Sequence, residues 1–345
     1  MRAATVVNRR NGYLLAAALL LAAPLVFYPL LLTKVYCFAL FACAFNLLIG
    51  FAGLVSFGHA AFFGGAGYVG GYALATLGWP VELALAAGTL TGAAMGYVVG
   101  LLAIRRKGVY FSMVTLALAQ MCYFFYLQAP FTGGEDGLQG IPRGRLLGLV
   151  DLSDDLVLYY AVLAIVAAGY ALIVRTIHSP FGQVLKAIRE NEARAVSLGY
   201  DVARYKLLAF VLSTALTGLA GATKALALGF ATLTDAHWAM SGMVILMTLI
   251  GGMGTFVGPV VGAFVILLLE SKLDEIGDFL AELTGIDWFH AFGTSVTMVL
   301  GLVFMVCVLA FRRGLVGEWI RWRARPRGKA AGAAAAGGAA GAGNG

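Results

Sequence analysis

Apolar runs separated by short polar or glycine-rich breaks fill nearly the whole chain. A helix needs about 17 to 25 apolar residues to cross a bilayer, and runs of that order occupy residues 13–32, 35–49, 81–104, 109–127, 156–174, 207–228 and 291–311. Pro24 and Pro29 interrupt the first. A glycine-rich stretch at 50–72 leads from the second into a helix ending near Leu77, where Trp79 and Pro80 form a turn. Two later runs, 240–250 and 259–269, are too short to cross alone and flank Gly251-Gly252-Met253-Gly254-Thr255-Phe256-Val257-Gly258. Non-helical backbone at membrane depth survives only where protein or a water-filled cavity surrounds it. A broken or hairpin pair is predicted there, its elbow at Gly252 and Gly254 lining a path or packing tightly. The pattern predicts an all-α polytopic membrane protein with about 8 to 10 transmembrane helices, depending on whether the hairpin is re-entrant or two short spans.

One long polar interruption stands out, residues 175–206. It sets Arg175, Lys186, Arg189, Arg194, Arg204 and Lys206 against Glu190, Glu192 and Asp201. Lys and Arg accumulate on the non-translocated side of a membrane protein, so this loop reads as cytoplasmic. Pro180 and Gly182 punctuate its start and Gly199 its stop. Between them Val184, Leu185, Ile188, Ala195, Val196 and Leu198 fall near helical spacing. A single amphipathic helix over 183–198 is predicted. A tether needs no apolar stripe, so the loop is read as a docking surface for a soluble partner.

Composition agrees. The 345 residues are 61% hydrophobic and 12% charged, with mean hydropathy +0.89, against roughly 25% charged in soluble domains. A net charge of +7 could suggest nucleic acid, but most cations cluster beside apolar runs: Arg2, Arg9 and Arg10; Arg105, Arg106 and Lys107; the central loop; and 312–329. No nucleic-acid partner is expected; the lipid bilayer is. Most acids fall in the other connections, including Glu135, Asp136, Asp151, Asp154, Asp155 and the run 274–287. Both termini are therefore placed in the cytoplasm. The resulting division is a cytoplasmic segment 1–12, a transmembrane domain 13–311 with an outer loop at 129–155, a basic segment 312–327, and a Gly/Ala tail 328–345 too poor in large apolar groups to fold. Cys37, Cys43, Cys122 and Cys307 lie in apolar runs, which supports neither a disulfide framework nor a CxxC metal site.

Catalytic chemistry finds little purchase. Gly218-Leu219-Ala220-Gly221-Ala222-Thr223-Lys224 is the nearest approach to a Walker A loop and lacks its Gly-Lys-Ser/Thr ending. His59, His178, His237 and His290 are too scattered for a metal site or triad. The stretch 46–62 combines small residues that let backbones approach with Asn46, Ser56 and His59, polar groups that hydrocarbon penalises unless they face protein or water. Pathway lining and interhelical hydrogen bonding suit these three equally, and Gly58, Thr115 and Gln120 join them as pathway candidates. Lys224, near the outer end of its run, is expected to snorkel to the interface. No membrane-buried carboxylate is apparent.

Taken together, the motif 46–62, Lys107-Gly108-Val109-Tyr110-Phe111-Ser112 continuing to Gln120, Thr132-Gly133-Gly134 with Asp136-Gly137-Leu138 and Gly140-Ile141-Pro142, Ser179-Pro180-Phe181-Gly182 through Glu192, and Gly251-Gly252-Met253-Gly254 with Gly258-Pro259 resemble LivM-type permeases of branched-chain amino acid ABC transporters. The resemblance runs from about 35 to 311. It implies a type II ABC-importer-like permease in the bacterial inner membrane, with no catalytic group and no cofactor of its own. ATP and Mg would sit in two ABC ATPase subunits, alongside a LivH-like second permease and a periplasmic substrate-binding protein. The loop helix would be the coupling helix, with Gln183, Lys186, Ala187, Arg189, Glu190, Asn191, Glu192, Leu198 and Gly199 at the ATPase. The importer pattern E-A-A-x-x-x-G departs here to Glu192-Ala193-Arg194-Ala195, with Gly199 one residue late. Leucine, isoleucine and valine are the implied cargo, with urea, short amides or another amino acid as the alternative. A secondary transporter or channel acting alone would call for buried acidic or Arg coupling sites and an internal repeat, and neither is visible.

Overall fold

The computed structural model describes residues 20–25, 27–284, 301–302, 305 and 314–318, with 25 and 273–284 by their backbone alone. All of the predicted segments 1–12 and 328–345, and parts of 13–32, 291–311 and 312–327, lie outside the described residues.

The bundle is built round one helix, α1 (Pro29–Asn46), which runs on through wider π-type turns at Leu47–Ala52. Its residues are apolar on every face, and a helix of that kind is stable only when surrounded; it is buried throughout its most apolar window. The predicted start at 35 is six residues late. Tyr28 is extended and Pro29 occupies the first turn, where a missing N–H costs nothing. Pro29 therefore opens the second helix rather than kinking the first.

Residues 53–58 are non-helical, and α2 (His59–Ala75) begins inside the bundle. It is followed by α3 (Val81–Ala103), α4 (Val109–Gln128), α5 (Asp155–His178), two short helices α6 (Pro180–Glu190) and α7 (Glu192–Ser197), then α8 (Val202–Leu228), α9 (Trp238–Gly251) and α10 (Gly258–Thr284). Among the described residues five helices, Pro29–Ala52, α3, α4, α5 and α8, are long and apolar enough to cross a membrane.

Three expectations change. First, α5 reaches His178 and α8 starts at Val202, so the polar connection is shorter than 175–206. Second, the loop helix is two helices, because Asn191 leaves helical geometry (φ −154°, ψ 97°) and its side chain accepts from Arg194 N at 3.0 Å, capping α7. Third, the hairpin is lopsided: α9 has 14 residues but α10 has 27, running on through Glu270, Lys272 and the acidic positions 274–282. At 1.5 Å per residue α10 is about 40 Å long.

The two ends of the bundle differ in charge. At one, Lys107 of the α3–α4 turn meets Glu192 of α7 at 2.8 Å; this is the basic end. At the other, the loop 129–155 carries a small antiparallel pair, β1 (Arg145–Leu146) and β2 (Val150–Asp151), beside Glu82, Asp154 and Asp155. This acidic-end loop is pinned to the segment after α8, where Leu138 and Ala231 exchange backbone hydrogen bonds at 2.9 Å and Ile141 N donates to Gly229 O at 2.9 Å.

Helices α3 and α8 approach closely along Gly88, Gly92, Gly96 and Gly100, spaced four apart on one face of α3. A methyl at Gly92 would sit 2.5 Å from Thr214 O, and at Gly88 2.5 Å from the Ala222 methyl. In lipid, helix association rests on such packing rather than on the hydrophobic effect. Replacing Gly92 with Leu should therefore lower the thermal midpoint of the detergent-extracted protein, by an amount corresponding to about 1–3 kcal/mol or more. Gly242, with nothing among the described residues within 4 Å of its would-be methyl, should accept Ala without loss. Equal midpoints for G92L and the unmodified protein would contradict this packing account.

Candidate functional site

At the basic end the loop helices, the end of α1 and the glycine elbow converge. Gly252 (φ 125°) and Gly254 (φ 76°) hold backbone conformations that a side chain would strain. Thr255 Oγ1 donates to Gly252 O at 2.7 Å and accepts from Gly258 N at 3.0 Å, closing the turn and capping α10. Asn46 on α1 is 4% exposed and grips this turn with both ends of its amide. Its Oδ1 accepts from Gly254 N at 2.9 Å, and its Nδ2 donates to Thr255 O at 2.9 Å.

Arg189 on α6 joins the same cluster. Its guanidinium donates to Gly50 O, and its stem lies over Gly53, where an added methyl would sit 3.1 Å from Cγ. The guanidinium also borders Gly254. Near it, Lys186 lies over the Phe51 ring at 5.8 Å, Phe51 meets Phe256 of the elbow at 5.8 Å, and His178 stacks on Phe256 at 5.1 Å. The polar loop thus touches the π-turn of α1 and the elbow directly.

Behind this contact the loop is anchored. Leu185, Ile188 and Ala195 are buried, and Glu192 is held by Lys107 at 2.8 Å and Lys206 at 2.9 Å. The bond from Lys107, then that from Lys206, holds the Glu192 carboxyl below its ordinary value. The opposite face is open: Gln183, Ala187, Glu190, Asn191 and Gly199 are exposed, as are Val196, Leu198 and Tyr200.

The residues predicted to line a pathway fall in three places. Asn46, Gly252 and Gly254 come together at the elbow. Ser56, Gly58 and Thr115 meet where 53–58 crosses α4: Phe57 N donates to Thr115 Oγ1 at 3.2 Å, Ser112 Oγ donates to Val55 O at 2.6 Å, and a methyl on Gly58 would sit 2.6 Å from Thr115 O. His59 stands apart, edge-on to Phe45, Phe62 and Phe210, with Nε2 3.0 Å from Ser213 Oγ. Gln120 is half-buried on α4 and joins none of these groups.

Two features escaped the sequence pattern. Ser213, reading as one small polar residue in an apolar helix, bridges His59 to Ala44 O at 2.6 Å. Lys224 does not snorkel: it is 4% exposed and paired with Asp235 at 2.6 Å. Asp235 is itself 5% exposed, so a buried carboxylate does exist. Its segment, a short 3-10 turn at Leu233–Ala236, turns back into the bundle, where Ala236 packs on Gly64, rather than staying at the surface. No cluster of His, Cys, Asp and Glu suited to a metal ion occurs among the described residues.

The chain is similar in sequence to known proteins. The family described as "Branched-chain amino acid transport system / permease component" matches residues 28–317. The high-affinity branched-chain amino acid transport system permease protein LivM of Salmonella typhimurium is 28% identical over 213 residues, covering 55% of this chain and 50% of the relative, and that of Escherichia coli gives the same figures. The autoinducer 2 import system permease protein LsrC of Klebsiella pneumoniae is 30% identical over 194 residues, 54% of this chain and 53% of the relative. The chain spans about half the length of these relatives. No solved structure matches.

Two outcomes test the geometry. Asn46→Leu leaves the half-buried Gly254 N and Thr255 O without partners; a fully buried orphan costs about 1–3 kcal/mol, so the thermal midpoint should fall by up to that amount for each. For Glu192, a lowered folded pKa means that its contribution is complete above the ordinary value of 4.5 and is lost as pH falls through the folded value. Thermal melts taken downward from neutral pH should fall less steeply in Glu192→Gln than in the unmodified protein. Parallel curves would remove Glu192 as the acid-sensitive link.

Proposed function

Since the chain belongs to the family of permease components of branched-chain amino acid transport systems, we propose that it is the membrane-spanning permease subunit of an ATP-driven importer in a bacterial inner membrane. A periplasmic binding protein delivers leucine, isoleucine or valine, and a second, LivH-like permease completes the path. Two ABC ATPase subunits bind ATP and Mg and dock on the loop helices. The basic end then faces the cytoplasm, in keeping with the gathering of Lys107, Lys186, Arg189 and Lys206 there.

The observation that carries this reading is the Arg189 contact. A soluble motor can act on a membrane path only through a surface it touches and a rigid link inward. The exposed face of α6 and α7 supplies the first. Arg189, bonded to Gly50 O and bordering the elbow that Asn46 clamps, supplies the second. A displacement of α6 would be felt at the α1 π-turn and the α9–α10 hinge together, and packed elements of this kind switch between discrete arrangements rather than bending continuously.

Cargo is the finer question. LivM relatives favour branched-chain amino acids, while similarity to LsrC, whose name states autoinducer 2 import, keeps a second cargo in view. The deciding measurement is uptake of radiolabelled leucine, with autoinducer 2 and urea in parallel, in cells lacking this chain and in the same cells complemented. Loss and rescue of leucine uptake alone is the expected result. Loss and rescue of another cargo alone would move the substrate and keep the permease role, whereas no change in any uptake would overturn the proposal.

A further inference from the structure

The buried ion pair between Lys224 and Asp235 has no part in the loop contact. It sits in the acidic-end half of the bundle, between the last turn and a half of α8 and the 3-10 turn at Leu233–Ala236 that precedes α9. Lys224 Nζ donates to Asp235 Oδ2 at 2.6 Å and lies 4.5 Å from the centre of the Phe230 ring. Asp235 Oδ2 also accepts from Thr232 N at 3.2 Å and Thr232 Oγ1 at 3.1 Å. Among the described residues Asp235 Oδ1 takes no donor, and two N–H groups of Lys224 have no acceptor. Tyr68, fully buried on α2 in the same apolar cluster as Ala225 and Ala236, has a hydroxyl with no hydrogen-bond partner among the described residues.

A buried ion pair is weak support for a fold, because well-packed apolar residues of similar volume often do as well or better. Ionisable groups inside a membrane protein mark function by default. The spare capacity here has a definite shape: ammonium donors, a carboxylate oxygen and a phenol hydroxyl within an apolar cluster that includes Cys37, Ala225 and Ala236. Thr234, in the same short turn as Asp235, lines a neighbouring cavity of about 580 Å³ together with His237, Met243, Leu246, Glu270 and Gly301; Lys224, Asp235 and Tyr68 lie behind that turn rather than in its lining. That volume is in the range of small-molecule sites.

We propose that Lys224, Asp235 and Tyr68 form an intramembrane transit site for an α-amino acid zwitterion, Lys224 taking its carboxylate, Asp235 its ammonium and Tyr68 a further hydrogen bond. The proposal rests on the importer reading above and adds to it a place inside the bundle where cargo is recognised. The pair opens by exchange. Each buried charge swaps its protein partner for the opposite charge of the cargo, so neither is left uncompensated, a condition that otherwise costs several kcal/mol. Uncharged urea or a cargo of single charge cannot make this exchange, which selects zwitterions by chemistry rather than by shape.

Two variants of the chain, tested in the complete transporter in cells, decide the matter. Tyr68→Phe removes an oxygen that bonds to nothing among the described residues, so a purely structural role leaves uptake unchanged. The site requires leucine uptake at limiting concentration to drop about tenfold, the size of one hydrogen bond to a charged group, with the amount of protein in the membrane constant. The double variant Lys224→Met with Asp235→Leu should also reach the membrane and lose leucine uptake by about a hundredfold or more. Uptake within about twofold of the unmodified chain in Tyr68→Phe, or in a double variant present in the membrane, overturns the site. If the double variant is missing from the membrane, Tyr68→Phe alone decides. Failure of the unmodified chain to restore leucine uptake overturns the importer reading and this site with it, and is distinguished by that control.

Discussion

Every interruption of a helix within an apolar bundle must find partners for the backbone groups it releases, and this constraint organises the protein. Hydrocarbon offers no water to bond them. Three interruptions meet the demand in three ways. Residues 53–58 are stitched to α4 by Ser112 and Thr115. Residues 229–237 borrow a strand-like bridge from the acidic-end loop and a carboxylate from Asp235. The elbow between α9 and α10 is held by the Asn46 amide. The long helices supply the side chains, Asn46 from α1 and Ser112 and Thr115 from α4, that bond the backbone released at the first and third of these breaks.

These breaks also explain why the bundle can be both firm and movable. Glycines on α3 bring it against α8 at backbone distance, and so close-packed a contact transmits strain rather than absorbing it. The polar joints, by contrast, hold by a few directional bonds that can be exchanged. A motion driven from α6 would leave the α3–α8 core intact and act at the joints, with Arg189 as the point of entry.

Much of this was legible in the sequence and some was not, for physical reasons. Apolar run length located the helices because burial in lipid or protein demands it, and the clustering of Arg and Lys marked the polar loop. The elbow announced itself through Gly252 and Gly254, since only glycine adopts those conformations freely. Boundaries slipped where a local rule outranked hydropathy. Pro29 started α1 early, Asn191 divided the loop helix by capping α7, and α10 continued through acids that hydropathy alone would place in a loop. The Lys224–Asp235 pair was out of reach because its members lie 11 positions apart on different elements, and only the return of residues 229–237 into the bundle brings them together. Likewise Arg189 offered no sign that it would reach Gly50, 139 residues away.

Asn46 grips the elbow only through main-chain atoms, the N–H of Gly254 and the carbonyl of Thr255. It is therefore indifferent to the identity of the side chains at Met253 and Val257 and sensitive to how many residues the turn contains. Over evolutionary time such a joint is free to change its lettering at Met253 and Val257 and bound to keep its length: substitutions should accumulate at those two positions while single-residue insertions and deletions are purged.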